Sequence, residues 1–420
     1  MGVLNNSMWN SKSADDDFYE HQIANSCRFN SNPSNFNASS FMYHTQGTPT
    51  NVDKCTISCW VKRGKLTDAS NMFTGSGTNG GGYSFFGFNA TDEFYYLQDP
   101  GSPNIRLEST SFFRDPAAWY HFVLAQDSTD GTAANRNKLY INGVQYTDWG
   151  DYSTYSSQNN DFLQNTSGYN LFVGSGGASD GLRHLPFDGL IAEYVFIDGT
   201  QYAASDFGET KNGAWIPKDP SGLTFGNNGV YLKFQNSAAL GNDSSGNDND
   251  FTVTGVAAHD QMLDTPTFNS DSNGGNFCTF NYTNKGSSNA LAEGNLKSSG
   301  SAGGNNSGTM AHMTGKWYWE QCALTVNQYG PTFGIGQLNT TGAASAAGGE
   351  YYIITWQTAA GQIYGGGGYP EGMGTITLDQ TGVDALSSGD VLGFFMDLDN
   401  RKLWISKNGT LLNSGDPEDG

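Results

Sequence analysis

Three glycines, Gly75, Gly77 and Gly80, have the spacing of a dinucleotide-binding loop. In such a loop the glycines let the backbone approach a pyrophosphate, and the N-terminus of the helix that follows stabilises the phosphate charge. Here the glycines lie in a stretch rich in Gly and Asn that no helical pattern follows. We therefore predict an ordinary loop and no nucleotide site.

Carboxylates offer a second kind of chemistry, because glycoside hydrolysis requires two of them set a few ångströms apart. The pattern Glu-x-Asp-x-x-Glu, which places such a pair on one strand, is absent. Glu193 lies on an apolar strand and is the best isolated candidate, although an edge position or a hydrogen-bonded structural role is favoured. His121 lies in an apolar segment and is predicted to be a hydrogen-bonded core residue. We predict no catalytic residue and no enzyme activity.

Residues 242–250 combine Asp, Asn and Ser at high density. Calcium prefers clustered oxygen ligands, so this run could wrap around a cation. Its spacing does not match an EF-hand loop, and a solvated turn is favoured. We predict no metal site and no cofactor.

Four tyrosines lie in loops rich in Gly and Ser: Tyr152, Tyr155, Tyr364 and Tyr369. An exposed tyrosine ring stacks well on the apolar face of a sugar. The alternative is that these rings pack against their own loops. They are the candidate glycan-binding residues.

These candidates must be positioned by a chain of 420 residues that is rich in glycine (56 residues) and aromatics (13%) and poor in charge (15%). That composition favours many short strands joined by tight turns, in two domains. The formal net charge is −21, with only 20 Lys and Arg residues. Nucleic acid and anionic membranes attract basic surfaces, so neither is an expected partner.

Five cysteines at irregular spacing predict no disulfide framework and suit a reducing compartment. They are Cys27, Cys55, Cys59, Cys278 and Cys322. Residues 1–26 lack a basic start and an apolar run, so we expect neither a signal peptide nor membrane insertion. This polar segment is either a loose terminal arm or a docking arm anchored by Trp9, Phe18 and Tyr19.

Strand patterns separated by turns predict an all-β domain over residues 27–217. Residues 55–61 alternate between apolar and polar side chains, residues 119–125 are apolar on both faces, and residues 138–141 run into Asn142 and Gly143. Asn-Gly after an apolar strand is a strong hairpin signal. Ser205 begins the only short helical turn that we expect in this domain.

Residues 218–265 are predicted to be a connector with short strands. Residues 266–420 are predicted to be a second β-sandwich that is incomplete at its C-terminal end. In this part residues 402–405 repeat the Lys-Leu-aromatic-Ile pattern of residues 138–141 and also run into Asn-Gly, at Asn408 and Gly409.

The first domain resembles laminin-G-like, concanavalin-type jelly rolls. The resemblance rests on four segments in order: residues 56–62 (TISCWVK), 119–123 (WYHFV), 139–143 (LYING) and 187–193 (FDGLIAE). The second domain resembles a SPRY-type sandwich in residues 315–320, 389–393 and 397–409. The fold implied is two concanavalin-like antiparallel β-sandwiches in tandem, preceded by an N-terminal arm.

The order of the two domains is similar to that of structural proteins of marine tailed phages, notably podoviruses of cyanobacteria. This resemblance implies a virion protein, a tail fibre or fibre-like appendage that is attached by its arm and takes part in host attachment. The expected partners are a homotrimer, other virion proteins of the tail, portal-adaptor region or capsid, and a host surface glycan. The alternatives are a glycan-binding module, a capsid decoration protein without a fibre role, and a polysaccharide-cleaving enzyme.

Overall fold

A computed structural model describes thirteen stretches of the chain. They are residues 3–4, 18–31, 40–68, 71–177, 183–268, 274–300, 306–326, 333–336, 352–357, 362–366, 380–381, 385–412 and 415–417. The chain divides into two compact units. The large unit comprises Lys12–Asn276 and Ala292–Gly294, and the small unit comprises Met1–Ser11, Phe277–Leu291 and Asn295–Gly420.

Strands dominate both units. In chain order the strands are β1 (Val3–Leu4), β2 (Ser26–Phe29), β3 (Phe41–Thr45), β4 (Lys54–Arg63), β5 (Asn71–Gly77), β6 (Tyr83–Phe88), β7 (Glu93–Asp99), β8 (Ile105–Phe112), β9 (Trp119–Asp127), β10 (Asn137–Ile141), β11 (Val144–Tyr146), β12 (Asn170–Val173), β13 (Gly176–Gly177), β14 (Arg183–His184), β15 (Gly189–Asp198), β16 (Gly208–Lys211), β17 (Ala214–Pro217), β18 (Val230–Leu232), β19 (Thr252–Thr254), β20 (Gln261–Met262), β21 (Phe280–Lys285), β22 (Asn289–Ala292), β23 (Lys297–Gly300), β24 (Asn306–Gly308), β25 (Lys316–Cys322), β26 (Gly334–Gly336), β27 (Tyr352–Gln357), β28 (Gln362–Gly366), β29 (Gln380–Thr381), β30 (Val391–Asp397), β31 (Lys402–Lys407) and β32 (Thr410–Leu411).

Helical structure is scarce in the described stretches. The one α-helix is α1 (Ala133–Arg136), and the 3-10 turns are Leu163–Asn165, Ala204–Asp206, Pro220–Gly222 and Ala258–Asp260. The turn expected from Ser205 lies in the second of these. None of the helices in the described part of the chain is long and apolar enough to cross a membrane.

The large unit contains two antiparallel sheets. The eight-stranded sheet has the order β11-β10-β9-β4-β15-β2-β20, with β18 also paired to β15. The seven-stranded sheet has the order β19-β3-β12-β5-β6-β7-β8. Residues 218–265, for which we expected a connector, contribute β18 and β20 to the first sheet and β19 to the second.

The core of the large unit is rich in aromatic rings contributed by both sheets. Phe122 of β9 lies 5.5 Å from Phe73 of β5 and 5.4 Å from Phe94 of β7, measured between ring centroids. Cys55 and Cys59 of β4 are buried among these apolar side chains. Pairs of rings at this spacing add stabilisation beyond the area that they bury.

The second face of β4 is also buried. Thr56, Ser58 and Lys62 are at most 2% exposed, although their alternation with apolar residues suggested a polar outer face. Later segments of the chain cover them: Thr56 donates to the carbonyl of Thr200, and Lys62 pairs with Asp264 at 2.7 Å. A periodic pattern within one strand carries no information about distant segments that pack on it.

The two predicted Asn-Gly hairpins are confirmed. Asn142 and Gly143 have φ values of 47° and 81° and join β10 to β11. Asn408 and Gly409 have φ values of 49° and 80° and join β31 to β32. Positive φ at both central residues matches the right-handed twist of the flanking strands, and Asn and Gly tolerate it.

The small unit also consists of antiparallel sheets. A five-stranded sheet has the order β1-β25-β30-β31-β32, a four-stranded sheet has the order β26-β27-β28-β29, and two ladders pair β21 with β24 and β22 with β23. Leu386, Leu392, Phe394 and Ile405 form its core, and Trp319 stacks on Phe394 with centroids 4.9 Å apart. The SPRY-like character of this part stays a prediction.

Candidate functional site

A strip of aromatic rings lies on the outer face of the seven-stranded sheet of the large unit. Side chains alternate between the two faces of a strand, so Phe86 and Tyr96 enter the core while Tyr83, Phe85 and Tyr95 point away from it. The centroids of Tyr83 and Phe85 are 6.0 Å apart, and those of Phe85 and Tyr95 are 5.6 Å apart. We call these three rings the aromatic strip.

Arg106 of β8 extends the aromatic strip toward solvent. Its guanidinium lies 5.4 Å from the ring centroid of Tyr95 and 5.8 Å from that of Tyr152. Its Nη2 donates a hydrogen bond of 3.0 Å to Oε2 of Glu108. Cations over aromatic faces are held by the ring quadrupole, so Arg106 orders the exposed ring of Tyr152.

Tyr152 reaches this face because its loop follows the free edge of β8. Isolated bridges pair Ser109 with Trp149 and Arg106 with Thr154, on either side of Tyr152. The side chain of Tyr152 is 78% exposed, the largest exposure of any apolar ring in the described stretches. The loop therefore covers a sheet edge and presents one ring to solvent.

Two carboxylates lie beside the aromatic strip. Nδ2 of Asn89 donates to Oε2 of Glu93 at 2.8 Å and to Oε1 of Glu108 at 2.7 Å. The sequence could not pair these residues, because Glu93 and Glu108 lie on neighbouring strands. The only available signal was the antiparallel pairing of β7 with β8.

A third acceptor is Asp99, at the other end of β7. The hydroxyl of Tyr83 donates to Oδ2 of Asp99 at 3.4 Å. Burial and the charge of Asp99 raise the pKa of Tyr83, so its hydroxyl stays protonated at neutral pH. Stacking rings with carboxylate acceptors on either side suit a polyhydroxylated ligand, whose ring stacks and whose hydroxyls donate.

The four candidate tyrosines have separate locations. Tyr152 belongs to the surface just described, whereas Tyr155 is half-buried and packs against the core. The backbone of Tyr364 lies in β28, opposite Thr355 of β27. Tyr369 lies outside the described residues.

The predicted docking residues are only partly described. Trp9 lies outside the described residues. Phe18 and Tyr19 are half-buried, with centroids 4.9 Å apart in an edge-to-face arrangement. Nζ of Lys211 lies 5.8 Å from the centroid of Phe18, so these two rings pack on the large unit itself.

Glu193 has a structural environment. It is 5% exposed, and its Oε1 accepts hydrogen bonds from Tyr231 at 2.7 Å and from His21 at 2.5 Å. Its φ of 49° coincides with a β-bulge in β15. A carboxylate held by two donors in a bulge is a hydrogen-bonded structural group.

His121 is a hydrogen-bonded core residue, as predicted. Its Nδ1 accepts a hydrogen bond from Nε1 of Trp215 at 3.0 Å, and its Nε2 lies 2.9 Å from Oγ of Ser58. Since indole only donates, Nε2 carries the proton of the neutral ring. Burial lowers the pKa of His121 to about 3, which keeps it neutral.

The loop predicted for the glycine triplet is wrong for two of its members. Gly75 and Gly77 lie in β5, and only Gly80 lies in a turn, with a φ of 74°. A Cβ atom on Gly75 would lie 2.4 Å from the carbonyl oxygen of Ser84 and 2.7 Å from the amide of Gly177. Close backbone packing, rather than a phosphate, therefore requires glycine there.

The Asp-rich run over residues 242–250 forms a turn with its own amides. Oδ1 of Asp243 accepts hydrogen bonds from the backbone of Tyr231 and Ser245, both at 2.8 Å. Its Oδ2 accepts from the backbone of Asn249 at 3.1 Å. These bonds occupy the oxygens that a cation would need.

Residues 36–205 match the family model described as the concanavalin A-like lectin/glucanases superfamily. The large unit has a concanavalin A-like, laminin G-like jelly-roll fold. This is the carbohydrate-binding lectin type of fold that the four sequence segments predicted. Because a fold hosts many functions, it does not by itself assign one.

Three solved structures illustrate the similarity of fold. Domains LG4-5 of the mouse laminin alpha1 chain are 9% identical, with 96% of this chain and 79% of that chain covered and a TM-score of 0.33. A putative carbohydrate-binding protein from Bacteroides ovatus is 15% identical, with coverages of 56% and 60% and a TM-score of 0.38. Tailspike protein 2 from Escherichia coli O157:H7 bacteriophage CAB120 is 11% identical, with coverages of 46% and 28% and a TM-score of 0.27. A comparison with curated proteins gives no match.

Proposed function

We propose that this protein is a glycan-binding attachment protein, and that the aromatic strip, Arg106 and Tyr152 form its sugar-binding surface. The observation that carries the proposal is the placement of Arg106 between the rings of Tyr95 and Tyr152, with Glu108 beside it. A sugar that stacks on Tyr152 has these polar groups within reach of its hydroxyls.

Charge favours a neutral sugar as the ligand. Glu93, Glu108 and Asp99 accept hydrogen bonds at this surface, where Arg106 is the cation in contact with two rings. The protein as a whole carries a formal charge of −21. Acidic sugars would meet repulsion from the carboxylates, whereas neutral hydroxyls can donate to them.

We propose binding without hydrolysis. Glu93 and Glu108 share the amide of Asn89, and Glu108 also pairs with Arg106. A general acid must release a proton to the glycosidic oxygen, and a carboxylate held by an arginine is stabilised in its charged form. Release of new reducing ends from a bound glycan would contradict this part of the proposal.

The biological setting that we propose is a bacteriophage particle. The support is the resemblance of the two sequence patterns, in their order, to structural proteins of marine tailed phages. In this setting the protein is a trimeric tail fibre or fibre-like appendage that is exposed on the virion, attached by residues 1–26 and bound to a host glycan.

The glycan proposal is tested by array screening followed by calorimetry with the strongest hit. Tyr152→Ala removes a ring that is 78% exposed, so the fold is expected to stay intact. Loss of one stacking ring is expected to weaken binding on the order of tenfold. Val144→Ala is the matched control, because Val144 is 71% exposed on the other sheet.

Two outcomes would reject this surface: an array without any hit, or equal affinities of the wild type and Tyr152→Ala. The fibre proposal has its own measurement, which is the mass in solution by light scattering, with and without residues 1–26. A trimer has three times the monomer mass of 45.1 kDa. A monomer in both preparations would contradict a fibre and leave the glycan proposal untouched.

A further inference from the structure

Three buried oxygen atoms of the large unit have no hydrogen-bond donor. They are Oδ1 of Asn30, Oγ of Ser31 and Oδ1 of Asp188. Asp188 is only 4% exposed, so water does not replace the missing donor freely. A buried carboxylate oxygen without a partner is costly, which makes this group the least explained in the unit.

The strand register brings these three residues together. Asn30 and Ser31 directly follow β2, and Asp188 directly precedes β15. Phe29 is paired with Gly189 in the antiparallel ladder, so the next positions along each chain, Asn30 and Asp188, face each other. The backbone amide of Ser31 lies 3.4 Å from Oδ2 of Asp188, which places the hydroxyl of Ser31 beside the same carboxyl group.

The neighbouring charges leave the carboxylate of Asp188 unpaired. Lys65 is close enough to act on its charge, but the ammonium of Lys65 pairs with Asp68. Arg28 pairs with Asp260 at 2.9 Å and with Glu293 at 3.2 Å. In the described stretches Asp188 itself has no ion pair.

A fourth oxygen donor lies at the rim. Glu293, which belongs to the large unit, accepts a hydrogen bond of 2.8 Å from Nδ2 of Asn30 and is near enough to affect the charge of Asp188. With the amide nitrogen of Asn30 turned to Glu293, its Oδ1 is the atom left without a partner. The cluster therefore presents a carboxylate, an amide carbonyl and a hydroxyl, with a second carboxylate beside them.

We propose that Asn30, Ser31 and Asp188 form a calcium site. Oxygen ligands of mixed kind suit a hard cation, and calcium tolerates irregular geometry and completes its shell with water. Zinc and copper are disfavoured, because the described residues contain no cluster of three His, Cys, Asp or Glu side chains. A bound cation would satisfy the three oxygens and join the segment after β2 to the start of β15.

The titration behaviour of Asp188 agrees with this geometry. Burial and the charge of Glu293 raise the pKa of Asp188 to about 6, against the opposing effects of two backbone amides and Lys65. A site with one fully buried carboxylate is expected to be weak, with a dissociation constant on the order of 10⁻⁴–10⁻³ M, as in extracellular modules. Binding should tighten as the pH rises above about 6, where the carboxyl group loses its proton.

The test uses the full chain, freed of metal with a chelator, and calcium chloride as the only added ligand. Calorimetry at pH 7.5 is expected to show one site, and thermal unfolding is expected to shift upward as calcium increases. Asp188→Asn should abolish both responses. Ser31→Ala keeps the carboxylate and should weaken binding severalfold, which covers the case in which Asp188→Asn does not fold.

Asp243→Asn is the matched control, because Asp243 lies in the other Asp-rich part of the large unit and already accepts backbone hydrogen bonds. The proposal requires that Asp243→Asn respond to calcium as the wild type does. It is overturned when the wild type shows no response up to about 10 mM calcium. It is also overturned when Asp243→Asn, rather than Asp188→Asn and Ser31→Ala, removes the response.

Discussion

The imidazole of His21 and the carboxylate of Glu193 share a hydrogen bond of 2.5 Å across 172 positions of sequence. Glu193 also accepts from the hydroxyl of Tyr231 at 2.7 Å, so one buried carboxylate holds two segments of the chain. The side chain of His21 is 19% exposed and that of Glu193 is 6% exposed, which limits screening by water. This contact fastens the start of the large unit to the bulge in β15.

Replacing His21 should make stability depend on pH less than it does in the wild type. Burial opposes the charged imidazole, but the hydrogen bond and the charge of Glu193, helped by Asp219 and opposed by Lys233, raise the pKa of His21 above 6.5. A raised histidine pKa adds stability that is fully present below the unfolded pKa and is lost as the pH rises through the folded one. His21→Gln is therefore expected to cost about 1–2 kcal/mol at pH 5.5 and less at pH 8.5. Denaturant unfolding at both pH values measures this, and an equal cost at both would contradict it.

Removing the hydroxyl of Tyr231 should destabilise the same network. Tyr231 is 1% exposed, so Tyr231→Phe preserves its packing and deletes only the donor to Glu193. The expected loss is about 1–2 kcal/mol. In a double-mutant cycle with His21→Gln the two losses should not add, since both donors serve one carboxylate. Strict additivity would show that the two contacts act independently.

The pair Arg63–Asp92 should be the most sensitive ion pair of the large unit. Both side chains are fully buried, their closest N–O distance is 3.0 Å, and Arg63 also lies 4.0 Å from the centroid of Phe88. Asp92→Asn leaves a buried guanidinium without its counter-charge and is expected to cost about 3–5 kcal/mol. Arg114→Met is the control, because Arg114 binds the same carboxylate at 2.9 Å but its side chain is 51% exposed. Urea unfolding should show a loss below about 1 kcal/mol for this control.

Asp188→Asn should flatten the acid part of the stability profile of metal-free protein. Burial and Glu293 raise the pKa of Asp188 to about 6, against Lys65 and two backbone amides. The folded state then holds a proton more tightly than the unfolded state, so stability falls as the pH rises from about 4 to about 6. The variant lacks this decline, and the difference is on the order of 3 kcal/mol across the window. Parallel profiles of the two proteins, measured by chemical denaturation, would exclude a raised pKa.

One cysteine should react in the native protein. Cys322 is exposed, whereas Cys27, Cys55, Cys59 and Cys278 are buried. Burial also raises the pKa of Cys27, Cys55 and Cys59, which keeps these thiols protonated. A colorimetric thiol reagent is expected to titrate one thiol in buffer and five in denaturant, because only the accessible thiolate reacts. Cys322→Ser should then reduce the native value to zero.

Much of the local structure of this protein was determined by sequence alone. Glycine and aromatic content with alternating apolar residues predicts short antiparallel strands, and the Asn-Gly pairs at Asn142 and Asn408 predict two hairpins that the structure contains. The four segments between residues 56 and 193 predict the jelly-roll fold that the family comparison supports. These features depend on backbone preference and periodicity over a few residues, so they can be read without a partner segment.

Tertiary structure alone decided which side chains meet. Glu93 and Glu108, Asn30 and Asp188, and His21 and Glu193 come together because strand register and bulges align distant segments. The buried outer face of β4 and the strand position of Gly75 were decided in the same way, by segments that pack on them. A sequence pattern records the preference of each residue for burial and for backbone conformation. The pairing of strands far apart in sequence depends on the free energy of the whole core, which no local pattern contains.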